Sequence, residues 1–124
     1  MKKLLLFVIT LSLLSCSKDS LKKDKKAPVI AFISPTNGLH FTIDTLINSN
    51  ITITDKNNLA EILAHVSYYP SGSVLMDIVG HPAASSFTIT EPIAFLIGQS
   101  YKIEVTATDI AGNTRTESII ITSP

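Results

Sequence analysis

The sequence contains no tryptophan, one cysteine at Cys16 and three histidines among 124 residues, and each scarcity narrows what the chain can do. A lone cysteine closes no intramolecular disulfide, so the fold must rest on packing. His40, His65 and His81 stand far apart, with no His-x-His or His-Glu-x-x-His spacing, whereas a zinc centre needs three or four convergent ligands. Among the five glycines there is no Gly-x-Ser-x-Gly elbow, and Gly72 and Gly98 belong to no phosphate loop. A reaction site must supply nucleophile, base and oxyanion donors together. No pattern here does, and the chain reads as a non-enzyme that uses no cofactor.

What is present begins at the N-terminus. Met1, Lys2 and Lys3 give a positive start, and residues 4–14 are apolar apart from Thr10 and Ser12. Eleven residues are too few to cross a bilayer as a helix, which takes about 20. The pattern predicts a signal peptide over residues 1–15. Its end, Leu13-Leu14-Ser15-Cys16, resembles the lipobox of bacterial lipoproteins. That resemblance implies that Cys16 becomes the first mature residue, carries diacylglycerol on its sulfur and is acylated on its nitrogen, with palmitate as a typical chain. Two or three acyl chains hold a protein stably to a membrane, while one binds only marginally. The bland alternative for Cys16 is a free thiol, a liability in an oxidising compartment. The expected location is the bacterial cell envelope, lipid-anchored in the outer membrane at its periplasmic face or at the cell surface.

Charge is unevenly spread once a leader is removed. Residues 17–26 hold five lysines against Asp19 and Asp24, a sum of +3, and read as a flexible lysine-rich tether following Cys16. Those lysines would lie beside lipid head groups and add attraction where the lipids are anionic; the stretch reads equally as a plain soluble spacer. From Ala27 onward Lys56, Lys102 and Arg115 oppose four aspartates and four glutamates, a sum of −5. An acidic domain disfavours nucleic acid as a partner, because phosphate binding is driven by Lys and Arg.

Beyond the tether, residues 27–124 form short runs rich in Ile, Val, Thr, Phe and Tyr, bounded by Gly, Pro, Asn, Asp or Ser. That spacing predicts an all-β antiparallel sandwich of about seven strands. Strands are expected over 29–33, 46–54, 60–69, 74–79, 86–90, 101–108 and 114–122, with a short edge piece near 39–41. Tyr101, Ile103, Val105 and Ala107 alternate with Lys102, Glu104, Thr106 and Thr108, the clearest period of two in the chain.

The run Leu96-Ile97-Gly98-Gln99-Ser100-Tyr101-Lys102-Ile103-Glu104-Val105 is similar to the corner between strands E and F of fibronectin type III and other immunoglobulin-like domains. Val105-Thr106-Ala107-Thr108-Asp109-Ile110-Ala111-Gly112-Asn113 resembles strand F and the following turn of bacterial immunoglobulin-like and cadherin-like repeats. The resemblance implies an immunoglobulin-like sandwich in which Tyr101 is the structural corner, its ring in the core and its hydroxyl bonded to upstream backbone. It lacks the core tryptophan and cysteine pair of antibody domains. As a whole the chain looks like small bacterial surface lipoproteins with one such domain.

Candidate sites follow from that topology. Asp55, Asn57, Asn58, His81, Asp109 and Asn113 are expected to cluster at one end, where oxygen ligands suit Ca²⁺ and Asp109 resembles the calcium-binding aspartate of cadherin-like repeats. Asp and Asn also occupy turns for backbone reasons alone. The tether starts at the same end. The opposite end carries Tyr68 and Tyr69, one of them expected in the core and the other available as a binding anchor, together with residues 91–99. Asp19-Ser20-Leu21 and Asp44-Thr45-Leu46 resemble the O-glycosylation acceptor of some Gram-negative lipoproteins, with Ser20 and Thr45 as sugar carriers. The expected function is a non-enzymatic binding or adhesion module for protein or glycan, with the membrane as a second partner through Cys16. One rival is an accessory subunit that uses the Ile119-Ile120-Ile121 run for edge addition. The other is a calcium-binding domain.

Overall fold

The computed structural model describes residues 25–124. The expected signal peptide, Cys16, Ser20 and most of the tether lie outside these residues.

Eight strands form, in order β1 Val29–Ser34, β2 Thr45–Asn48, β3 Asn50–Tyr69, β4 Val74–Gly80, β5 Ala84–Ile89, β6 Pro92–Phe95, β7 Ser100–Asp109 and β8 Thr114–Ile121. The period of two in β7 has its physical consequence there. Tyr101, Ile103, Val105, Ala107 and Asp109 are buried while their neighbours are half-exposed, because successive side chains point to opposite faces of a strand.

The spine of the sandwich is β3. Its first part pairs β1 on one side, through Ile53 opposite Ile30, and β5 on the other, through Ile53 opposite Phe87. Its second part pairs β4, through Ala64 opposite Ile78, and β7, through Ala64 opposite Val105. The two flanking sets hand over within residues 55–58, where the register shifts between Thr54 and Leu59. The six strands make one sheet that β3 carries through both layers, β1–β3–β5 in one and β4–β3–β7–β8 in the other, and β2 and β6 pair as a separate two-stranded sheet. All pairings of named strands are antiparallel. The product is an all-β immunoglobulin-like sandwich.

Apolar residues from both layers meet between them, among them Ile51, Ile53, Ile62, Val66, Ile93, Phe95, Ile103 and Ile121, each at most 1% exposed. Burying each such side chain contributes about 1.5–3 kcal/mol. Four aromatic rings close the core at the tyrosine end. The Tyr101 ring lies 4.9 Å edge-on from Phe95, 5.4 Å from Tyr68 and 6.3 Å from Phe41. The Tyr101 hydroxyl accepts the Leu96 N–H at 2.8 Å.

Several boundaries differ from expectation. The strand expected over 46–54 divides at Ser49, which is buried and turns its N–H and its hydroxyl onto the Glu91 carbonyl at 3.0 and 2.7 Å. Strands expected separately over 46–54 and 60–69 join through β3, because Asp55 faces inward in step with Ile51 and Ile53 and keeps the alternation going. Residues 92–95, expected within an exposed connection, form β6, with Ile93 and Phe95 buried. Pro92 disguises it: a proline reads as loop, yet it is tolerated at the first position of an edge strand.

Candidate functional site

The two ends of the sandwich differ in what they offer. At the tyrosine end, β3 and β4 are joined through residues 70–73. Gly72 takes φ +83, a left-handed conformation that glycine adopts without strain. Its N–H bonds the Tyr68 carbonyl at 2.9 Å, and the Tyr68 N–H bonds the Ser73 carbonyl at 2.9 Å. Alternation then separates the adjacent tyrosines. Tyr68 turns inward onto Tyr101, and Tyr69 stays 47% exposed.

Tyr69 is the aromatic wall of a hollow of about 330 Å³ lined also by His65, Ser67, Val74, Lys102 and Glu104. Register brings these together on the outer face. Asp77 of β4 sits opposite His65 of β3, which sits opposite Glu104 of β7, while Ser67 faces Lys102 in the next row. His65 Nδ1 is hydrogen-bonded to Asp77 Oδ1. Lys102 Nζ lies 3.4 Å from Glu104 Oε2, both side chains partly exposed, so this pair orders the surface more than it stabilises the fold. The site therefore presents one aromatic face beside a row of fixed donors and acceptors. The sequence points to the pair Tyr68 and Tyr69 but not to His65, Asp77, Lys102 or Glu104. Alternation shows that each faces outward, but only strand register makes them neighbours.

A second concavity, also about 330 Å³, opens between the two layers and is lined by Leu46, Leu75, Met76, Pro92, Ala94 and Leu96 among others. It lies between two strands that, among the described residues, pair on one side only: β4 pairs β3, and β6 pairs β2. The edge expected to be open, at Ile119-Ile120-Ile121, is already used there. The Ile120 and Thr122 carbonyls accept the N–H groups of Gly38 and Phe41, and Thr122 N–H donates to the Leu39 carbonyl. Ile119 and Ile121 face the core. Residues 39–41 thus lie alongside β8 through a parallel bridge from His40 to Thr122, because Phe41 is drawn into the core.

At the opposite end the connections expected to cluster do meet. Asn58 O accepts the Ile110 N–H at 2.9 Å, Leu59 O accepts the Ala83 N–H at 3.0 Å, and Leu59 pairs Asp109. The carboxylates there are engaged locally. Asp109, 1% exposed, accepts Ala111 N–H and Asn113 N–H on Oδ1, both at 2.9 Å, and Asn113 Nδ2 on Oδ2 at 3.0 Å. Burial by itself raises its pKa, but the side-chain and backbone bonds from Asn113, with those from Ala111 and Gly112, outweigh it and hold the carboxyl below its ordinary value. Asp55 Oδ1 accepts the Asn57 N–H at 2.8 Å. Among the described residues no three His, Cys, Asp or Glu side chains converge in a manner that could hold a metal ion. Thr45 donates its hydroxyl to the Ile43 carbonyl at 2.8 Å, and the neighbouring Asp44 accepts the Ile97 N–H.

No family model matches the chain, no curated protein is significantly similar to it, and no solved structure matches it.

Proposed function

We propose that the chain is a lipoprotein of the bacterial cell envelope, held to the outer membrane by lipid on Cys16, whose immunoglobulin-like domain is a non-enzymatic binding or adhesion module for protein or glycan. The supporting observation for binding is the exposed Tyr69 ring beside the row of Asp77, His65 and Glu104. Tyrosine gives a large amphipathic contact at low entropic cost, and its neighbours supply hydrogen bonds in fixed positions. Such a face suits a ligand with an apolar surface and adjacent hydroxyl or amide groups, as in a sugar ring or a peptide. The site lies at the end of the sandwich opposite Lys26 and Val29.

The test is binding of the purified mature protein to a panel of surface glycans and extracellular proteins, with Tyr69→Ala beside the parent. A ligand that uses this face loses about tenfold or more in affinity, the range of a truncated anchor, while the melting temperature stays unchanged. Equal binding by both proteins removes the reading.

A second reading, an accessory subunit of an envelope complex, draws support from the apolar concavity between β4 and β6, where an extended segment of a larger partner could add as a strand. A pulldown from detergent-solubilised envelope separates the two. One stoichiometric partner lost on Leu75→Lys substitution favours the subunit.

A further inference from the structure

The end of the sandwich nearest the tether differs in charge from the rest of the domain. Residues 27–124 sum to −5, yet Lys25, Lys26 and Lys56 are all exposed there, and Lys26 and Lys56 border one hollow with Asp55, Val29, Ser85 and Ser86, two cations against one carboxylate. The two carboxylates of this end are largely buried: Asp55, which lines the hollow beside the lysines, is 8% exposed and Asp109 1%, each accepting backbone N–H groups. The other described acids lie elsewhere. Asp44 bonds Ile97 at the tyrosine end, Glu91 follows β5, and Asp77, Glu104 and Glu117 lie on β4, β7 and β8. Glu61, opposite Thr108, is the nearest exposed one.

Two apolar side chains project from this basic end. Ile110, at the turn between β7 and β8, is 64% exposed, with its backbone tied to Asn58, two residues from Lys56; Val29, beside the lysine hollow, is 59% exposed. Exposed apolar side chains at the same end as lysines are the pairing that an anionic lipid surface takes up, the cations meeting phosphates while the alkyl group enters the interface.

We infer that this end of the domain is a membrane-docking surface for anionic phospholipid head groups, through Lys25, Lys26 and Lys56, with Ile110 entering the interface from the neighbouring turn. The inference rests on the anchor proposed at Cys16. Lys25 lies nine residues after it, a span of at most about 30 Å fully extended, so the lipid keeps this end within reach of the bilayer. Docking then fixes the domain upright, with Tyr69 pointing away from the membrane.

The test uses the full chain, matured and lipidated, carrying Ile110→Trp. Because the sequence contains no tryptophan, the indole of that variant is the sole one. The protein is reconstituted with vesicles of phosphatidylcholine alone or mixed with phosphatidylglycerol, each containing bromine-labelled lipid. The expected result is co-flotation with both vesicles, and indole quenching with a blue shift only where phosphatidylglycerol is present. Adding Lys56→Gln lowers the docked-to-free ratio about fivefold, the share of one lysine at an anionic surface. Co-flotation with both vesicles but no quenching in either overturns the docking surface and leaves the anchor standing. Failure to co-float with either vesicle overturns both. Circular dichroism matching the parent establishes that the variants are folded.

Discussion

The phenolic oxygen of Tyr101 accepts the amide hydrogen of Leu96 at 2.8 Å, and the same ring meets Phe95 edge-on at 4.9 Å. One residue therefore fixes both the path of the chain after β6 and the packing at the tyrosine end. Tyr101→Phe keeps the ring and loses the bond, a cost of about 1 kcal/mol. Tyr101→Ala empties a buried site and costs about 3–5 kcal/mol. In thermal unfolding the first change lowers the midpoint by roughly 4–8 °C for a domain of this size. The second brings the domain close to unfolding.

Gly80 ends β4 directly beneath the ring of Phe87 on β5. A Cβ built at Gly80 would lie 2.9 Å from Phe87 Cζ, closer than carbon atoms approach, so Gly80→Ala must displace the ring. The expected cost is about 1–3 kcal/mol, the usual range for overpacking. Urea midpoints of Gly80→Ala, Phe87→Ala and the double variant check it. In the double variant the clash is gone, and its loss is smaller than the two single losses added together.

Asp109 gives the fold a defined acid sensitivity. Its carboxyl is held below its ordinary value in the native state, so its contribution is fully present above the unfolded value of about 3.9 and fades as pH falls through the lower native value. Asp109→Asn is therefore less stable than the parent at neutral pH, and the gap narrows below about pH 4. Melting temperatures of the two proteins across that range measure it.

The same bonds bear on calcium. Both oxygens of Asp109 already accept N–H groups from its own turn, and a cation there would have to displace them. Excess Ca²⁺ is expected to leave the melting temperature unchanged, since tight binding to the native state alone must raise it. An upward shift would mean that the end loops rearrange into an oxygen cage.

How much of this was legible in the sequence depended on distance along the chain. The alternation through Tyr101, Ile103, Val105 and Ala107 named a strand and its buried face, and Asp109 to Asn113 named the turn after it, because both are local patterns. β6 was hidden by Pro92 and by its length of four residues. The division of the expected second strand at Ser49 could not be read, since the carbonyl that draws it aside belongs to Glu91, 42 residues away. The candidate site shows the same limit. The adjacent Tyr68 and Tyr69 stand out beside a hairpin turn, one for the core and one exposed, whereas the neighbours His65 and Glu104 face each other only through the register of β3 on β7. That register depends on a shift between Leu59 and Glu61, which no local pattern specifies.

The proposed location rests on what becomes of Cys16, and the intact mass of the membrane-extracted protein tests that directly. The expected product is a chain that has lost residues 1–15 and gained diacylglycerol and a further acyl group on its new N-terminal cysteine. A chain that still begins at Met1, or begins elsewhere with an unmodified Cys16 thiol, would contradict it.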